Sequence, residues 1–149
     1  HVRILSGLYG VLRPLDLIQP YRLEMGTRMS FPGHGNLYDY WQDVIPGEIE
    51  KTVASHPGKV LVNLASKEYF NAIRPSGFPH RVITPVFKEG TGSGYRNVTI
   101  YAKKARGLMT RFIIEKRITH PEHLKAFDAE GYVYNPDLSK NDTWLFTRG

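Results

Sequence analysis

The chain has 149 residues, carries a net charge of +6 at pH 7 and contains no cysteine. This length suits a single domain with a sizeable core, and the lack of cysteine excludes disulfides, thiolate catalysis and cysteine-ligated zinc. No apolar run approaches the roughly 20 residues that a membrane span needs, and the basic charge balance favours a polyanion as partner. We therefore expect a cytoplasmic protein whose residues 1–149 form one domain without membrane association.

Residues 2–26 combine a short apolar run with a loop that is rich in proline and glycine. Val2–Leu5 predicts a buried strand that enters a turn at Gly7. Pro14 and Pro20 exclude a long regular element after it, while the many leucine, isoleucine and tyrosine side chains predict that the loop is buried. Four charged side chains then either form a network that holds the loop in place or line a cleft. These are Arg13, Asp16, Arg22 and Glu24.

The middle of the chain alternates helices with a strand. Asn36 is placed to cap a helix that runs through Trp41, and Pro46 can open a second helix. Residues 60–66 form a nearly continuous apolar run, which is typical of a strand buried on both faces. Ser66 then occupies the N-cap position of a helix over residues 67–73.

The last third of the chain mixes strands and helices in the same way. The spacing of turn residues predicts a loose β-hairpin, then a long helix, then a short helix that begins near Pro121, and finally two strands. We therefore predict an α/β fold with a mixed sheet flanked by helices. The predicted strands are Arg81–Lys88, Tyr95–Tyr101, Gly131–Tyr134 and Thr143–Thr147.

The long helix, over residues 101–117, concentrates positive charge. It contains six lysine and arginine residues against the single acid Glu115. At 100° per residue its apolar side chains fall on one arc and its cations on the opposite arc. Gly107 lies among the cations and would let a phosphate backbone approach closely. The alternative is an ordinary solvated helix face. The predicted phosphate contacts are Lys103, Lys104, Arg106 and Arg111.

No motif in the sequence marks a metal, cofactor or catalytic site strongly. His120 and His123 lie three residues apart but lack the HExxH pattern, so we predict no metal site and no cofactor; direct iron binding would have to use carboxylate ligands. Asp16 and Glu24 could act as an acid and base, although carboxylates near arginines are more often ion-paired. Aromatic side chains available for stacking on unpaired bases are Tyr9, Tyr21 and Tyr69.

Three stretches, residues 3–26, 62–70 and 101–109, closely resemble the YaaA family of bacterial peroxide-stress proteins. The resemblance runs the full length of the chain. It implies an unusual single-domain fold and a cytoplasmic role in the hydrogen-peroxide response, protecting DNA from oxidative damage and linked to lower free intracellular iron. It further implies binding of double-stranded or branched DNA through a positively charged cleft, with no established enzymatic activity.

Family members begin with a substantial segment that precedes these stretches, so we expect residues 1–149 to be a YaaA-like domain that lacks it. A helix-hairpin-helix motif is also ascribed to the family, and no stretch of this sequence fits that motif. We expect a DNA-binding protein without sequence preference, in which Arg13 and Arg22 add cleft cations to the helix. The alternative is an enzyme that acts on nucleic acid or nucleotides through Asp16 or Glu24.

Overall fold

The computed structural model describes all 149 residues and divides them into two compact units. The first unit comprises His1–Lys59 and Ala65–His80, and the second comprises Val60–Leu64 and Arg81–Gly149. Helices and a mixed sheet together confirm the predicted α/β class. None of the helices combines the length and the apolar composition that a membrane crossing requires.

The first unit is built from a small hairpin and short helices. Strands β1 (Ile4–Ser6) and β2 (Gly10–Leu12) pair in antiparallel fashion. The helices are α1 (Leu37–Tyr40), α2 (Val44–Ala54) and α3 (Lys67–Phe70), followed by 3-10 turns at Asn71–Ile73 and Pro75–Gly77. The buried apolar side chains are Met25, Leu37, Ile45, Ile49, Val53, Ala72 and Ile73.

Both predicted helix caps are confirmed. The Asn36 side chain accepts a hydrogen bond from the Asp39 backbone N–H at 3.0 Å, and the Ser66 side chain accepts one from Tyr69 at 3.4 Å. Each of these bonds satisfies a backbone donor that has no partner within the helix. Pro46 lies in the first turn of α2, where its missing N–H costs nothing.

The loop over residues 13–22 is exposed, so the prediction that it is buried is wrong. Leu15 is 93% exposed and Leu17 is fully exposed. The apolar composition predicted burial, but a tight turn fixes the loop instead. The Asp16 carboxylate accepts a hydrogen bond from the Arg13 backbone N–H at 2.8 Å, and the Asp16 N–H donates to the Arg13 carbonyl. Backbone hydrogen bonding, rather than burial of leucine, therefore sets this conformation.

Gly10 occupies a position that other residues cannot fill without strain. Its φ is +70°, and a Cβ atom there would lie 2.9 Å from the ring of Trp41. The Trp41 indole in turn donates to the Gly7 carbonyl at 2.9 Å. The turn of the β1–β2 hairpin and the tryptophan are therefore packed against each other.

Gly10→Ala is expected to destabilise the first unit by roughly 1–3 kcal/mol, because it adds both backbone strain and a clash. Urea unfolding of protein labelled with 5-fluorotryptophan checks this, since the chain has two tryptophans and Trp41 reports on the first unit. Gly58→Ala is the control, because a Cβ at that position meets no atom within 4 Å. Equal midpoints for the two variants would contradict the expectation.

The second unit contains the larger sheet and the long helix. Its strands are β3 (Val60–Val62), β4 (Arg81–Thr91), β5 (Gly94–Arg96), β6 (Val133–Lys140) and β7 (Thr143–Arg148). Helix α4 spans Thr99–Glu115, and 3-10 helices span Pro121–Ala126 and Ala129–Gly131.

The sheet has the order β3-β4-β7-β6, and β5 pairs with the end of β4. The β3–β4 and β4–β7 pairs are parallel, whereas the β6–β7 and β4–β5 pairs are antiparallel. The predicted strand over Tyr95–Tyr101 is wrong beyond Arg96, because α4 already begins at Thr99. The β-branched residues Val98, Thr99 and Ile100 favour a strand by propensity, but the packing of α4 overrides that preference.

The core of the second unit lies between α4 and the sheet. Ala102, Ala105 and Met109 of α4 are buried against aromatic side chains of β4 and β7. Small residues on the helix let it lie close to these large rings. The other members of the buried cluster are Ile83, Phe87, Leu124, Phe127, Tyr132, Trp144 and Phe146.

Candidate nucleic-acid interface

Helix α4 has one buried face and one cationic face, as predicted. Met109 is fully buried and Ala105 is 1% exposed, while Lys103 and Lys104 are exposed. Gly107 is exposed, and a Cβ atom at that position would meet nothing within 4 Å. The cationic face therefore has open space at its middle, where a phosphate group could reach the helix backbone.

Two of the four predicted phosphate contacts have no acidic partner. Lys103 and Arg106 form no ion pair, and Lys103 is exposed to solvent. Arg106 is half-buried, and burial lowers the pKa of its guanidinium below the ordinary arginine value. A desolvated cation without a counter-ion gains more from an incoming anion than a fully hydrated one does.

The other two predicted contacts are engaged within the protein. Lys104 forms an ion pair with Glu130, and Arg111 pairs with Glu115 at 2.7 Å, one helical turn away. Either cation would have to leave its carboxylate to contact a phosphate. The exposed pair of Arg111 and Glu115 contributes little to stability, so its exchange costs little, whereas Glu130 is also held by Arg148.

The charged side chains of the first-unit loop do not form the predicted network. Arg13, Asp16, Arg22 and Glu24 are all exposed, and none of them makes an ion pair. Only the carboxylate of Asp16 has a fixed partner, the Arg13 backbone N–H. Arg13 and Arg22 are thus uncompensated cations, whereas Asp16 has a structural role in the turn.

The three predicted stacking residues lie in the first unit. Tyr9 and Tyr21 contact each other edge to face, with ring centroids 5.4 Å apart. The Tyr9 hydroxyl accepts from the Gln19 N–H at 3.0 Å, and the Tyr21 hydroxyl makes a short hydrogen bond with Ser6. Tyr69 is half-buried, and burial followed by the nearby Glu68 charge raises its pKa. Tyr9 and Tyr21 therefore help to anchor the loop, while Tyr21 stays 38% exposed.

A charged network in the second unit was not predicted. The Tyr132 hydroxyl donates to one oxygen of Glu89, and Arg148 Nε donates to the other at 2.7 Å. The Arg148 guanidinium also lies over the rings of Tyr101 and Tyr132, at 5.0 and 4.6 Å from their centroids. Because Glu89, Tyr132 and Arg148 are far apart in the sequence, no local pattern could have revealed the network.

Glu130 joins this network to α4. Its carboxylate lies 3.3 Å from Arg148 Nη1 and also pairs with Lys104. Glu130 has a left-handed backbone with φ of 54°, which is uncommon for a residue with a Cβ. The hydrogen bond from Lys104 outweighs the effect of desolvation and lowers the pKa of Glu130.

No group of three or more histidine, aspartate or glutamate side chains is positioned to hold a metal ion. The His120 and His123 rings are 5.8 Å apart and contact each other edge to face.

Comparisons with known proteins identify the relatives of this chain. A family model for the peroxide stress protein YaaA matches residues 1–138. The chain belongs to the YaaA family. It is 51% identical over 148 residues to the UPF0246 protein RSc2009 of Ralstonia nicotianae and 54% identical over 147 residues to the UPF0246 protein CPE2152 of Clostridium perfringens strain 13. Each match covers 99% of this YaaA-family chain and 58% of the relative, so the chain spans somewhat more than half of the relatives' length.

Proposed function

We propose that this YaaA-family chain binds double-stranded or branched DNA without sequence preference as part of the bacterial peroxide-stress response, in the cytoplasm. The observation that carries the proposal is the exposed face of α4, on which Lys103 and Arg106 have no acidic partner beside the open position at Gly107. Cations in such an arrangement contact phosphates and carry no sequence information.

Each cation of this face has a distinct part in the proposal. Lys103 supplies a hydrated point charge, and Arg106 supplies a partly desolvated guanidinium that can bind phosphate with two parallel hydrogen bonds. Lys104 and Arg111 join after exchanging Glu130 and Glu115 for phosphates. The exposed Arg13 and Arg22 of the first unit provide further phosphate contacts.

The protective role follows from the same binding. A protein that covers DNA through its phosphates shields many sites at once, because these contacts do not depend on base identity. The link to lower free intracellular iron stays a prediction. The alternative of an enzyme that uses Asp16 or Glu24 receives no specific support, since the Asp16 carboxylate holds a turn and Glu24 lies exposed on the surface.

The triple variant Lys103→Ala, Lys104→Ala and Arg106→Ala tests the proposal. We expect duplex affinity to fall about tenfold to a hundredfold, and the slope of log K against log salt to become shallower by about 2 to 3, because each phosphate contact contributes about 0.9 to that slope. Fluorescence anisotropy with a labelled duplex between 50 and 200 mM salt measures both quantities.

A matched control removes three positive charges outside the cationic face of α4. Lys67→Ala, Arg96→Ala and Lys140→Ala change exposed cations that make no ion pair. The control variant should keep most of the affinity and the slope. If both triple variants lose affinity equally, net charge rather than the face of α4 drives binding, and the proposal for this face fails.

A further inference from the structure

Glu130 supplies a carboxylate to the cationic face of α4 without belonging to that helix. The carboxylate pairs with Lys104 and also lies 3.3 Å from Arg148 Nη1. The pair of Arg111 and Glu115, in contrast, lies within α4, with its members four residues apart. Glu130 therefore brings negative charge from a separate 3-10 turn to the face on which we propose that phosphates bind.

The backbone holds Glu130 in an uncommon conformation. Its φ of 54° and ψ of 30° are left-handed, and the next residue, Gly131, has φ of 79°. Two backbone hydrogen bonds close the turn: the Gly131 N–H donates to the Asp128 carbonyl at 3.2 Å, and the Tyr132 N–H donates to the Ala129 carbonyl at 3.3 Å. A left-handed residue with a Cβ persists where surrounding contacts fix it, and such residues concentrate at functional sites.

Arg148 fixes the Glu130 carboxylate from the side away from α4. Its Nη1 donates to both the backbone carbonyl and the carboxylate of Glu130, each at 3.3 Å. Its Nε donates to Glu89 at 2.7 Å, and its guanidinium lies over the rings of Tyr101 and Tyr132. Because Glu89 and Arg148 are themselves half-buried, this arrangement restricts the movement of the Glu130 carboxylate.

Glu130 and an incoming phosphate compete for the same cation. Lys104 and Glu130 are both exposed, so a phosphate can reach the Lys104 ammonium. The hydrogen bond from Lys104 lowers the pKa of Glu130, and the carboxylate is therefore charged at neutral pH. A negative charge at this position occupies the ammonium and also repels a phosphate of the same sign.

We propose that Glu130 is an internal competitor that lowers the affinity of the α4 face for DNA, and that Arg148 is the residue that positions it. The inference rests on the proposed function, because it concerns how tightly that face holds DNA. DNA gains its contact with Lys104 only by replacing the Glu130 carboxylate. Removal of the Glu130 charge therefore strengthens DNA binding, whereas a carboxylate with a purely structural task would not affect it in this direction.

Glu130→Gln tests the inference, because it removes the charge and keeps the size of the side chain. We expect duplex affinity at 50 mM salt to rise about threefold to tenfold, and the slope of log K against log salt to steepen by up to about 0.9, as one further cation becomes free to contact phosphate. Fluorescence anisotropy with a labelled duplex measures both. Glu130→Asn, which tolerates a left-handed backbone, serves where Glu130→Gln fails to fold.

A matched control separates this effect from a change in net charge. Glu122→Gln removes the same charge from the second unit, where Glu122 pairs with Lys125 and not with α4. We expect it to change duplex affinity by less than about twofold. Combining Glu130→Gln with Lys104→Ala supplies a second control. The gain in affinity should disappear in that background, because the cation that Glu130 occupies is missing.

Arg148→Lys tests the positioning residue. It keeps the positive charge but loses the paired donors that hold Glu130, so we expect duplex affinity to rise by about twofold or more in the parent and to stay constant in the Glu130→Gln background. An unchanged or lower affinity in Arg148→Lys would leave Arg148 with a structural task alone and overturn this part of the inference.

The failure of the inference and the failure of the proposed function give different results. If the parent binds duplex and the triple variant of α4 loses affinity, but Glu130→Gln binds no more tightly than Glu122→Gln, the inference is overturned and the proposed function stands. If the triple variant keeps the affinity of the parent, the proposed function fails and the inference fails with it. Tighter binding by Glu130→Gln that persists without Lys104 also overturns the inference.

Discussion

Phe87→Ala is expected to lower the free energy of unfolding of the second unit by about 3–5 kcal/mol, the range for loss of a large aromatic side chain from a packed core. Phe87 is 2% exposed. Its ring contacts those of Phe127, Tyr132 and Phe146, with centroid distances of 5.7, 5.2 and 5.4 Å. Truncation would therefore remove three aromatic contacts at once and leave a cavity between α4 and the sheet.

Urea unfolding followed by the ¹⁹F signal of 5-fluorotryptophan at Trp144 measures this loss, because Trp144 is buried in the same core. Tyr95→Ala is the matched control: it also removes an aromatic ring from the second unit, but Tyr95 is 42% exposed, and we expect a change within about 0.5 kcal/mol. A loss below about 1 kcal/mol for Phe87→Ala would show that the core collapses around the missing ring.

Glu89→Ala is expected to destabilise the second unit by about 2–3 kcal/mol at neutral pH, because it leaves Arg148 and the Tyr132 hydroxyl without their shared partner. The side chains of Glu89 and Arg148 are only 16% and 21% exposed, so water replaces the lost carboxylate poorly. Glu115→Ala breaks an ion pair whose members are 72% and 56% exposed and should cost about 0.5 kcal/mol at most. Equal losses in the two variants would contradict a structural role for the network.

The pH dependence of stability gives this prediction a second readout. Burial raises the pKa of Glu89, but hydrogen bonds from Tyr132 and Arg148 outweigh burial and leave the pKa below its ordinary value. A carboxylate with a lowered folded-state pKa adds stability above its unfolded pKa, about 4.3, and loses it as the pH falls through the folded pKa. Glu89→Ala should therefore flatten the acid side of the stability profile, as urea midpoints between pH 3 and 7 would show.

At alkaline pH, the stability of the second unit should fall as the pH rises. Burial, and then the hydrogen bond to Glu89, raise the pKa of Tyr132. A group whose folded pKa is raised adds stability that is complete below its unfolded pKa, about 10 for tyrosine, and is lost as the pH rises further. The second unit should thus be most stable between about pH 5 and pH 10, and Glu89→Ala should reduce the loss on both sides.

Local patterns predicted the elements whose determinants are close in sequence. The 3.6-residue periodicity of α4 placed its buried and cationic faces correctly, and Asn36 and Ser66 marked two helix starts through their capping side chains. These features depend on residues within one or two helical turns. They therefore needed no knowledge of the tertiary structure.

The failures concern one local turn and several features that depend on distant residues. Leu15 and Leu17 are exposed because the Asp16 turn, rather than apolar content, determines the loop. The network that joins Glu89 to Arg148 brings together side chains from separate parts of the chain. Composition and periodicity carry no information about contacts between residues that are distant in the sequence.

The ion pair between Lys104 and Glu130 also sets a threshold for what can occupy the cationic face of α4. The Glu130 carboxylate already pairs with Lys104, and its contact with Arg148 helps to hold it there. A single small anion must displace Glu130 to gain one contact with Lys104. A polymer that is already bound to Lys103 and Arg106 presents its next phosphate to Lys104 at a high effective concentration. Under the proposed DNA binding, this exchange favours a polymer over a single small anion.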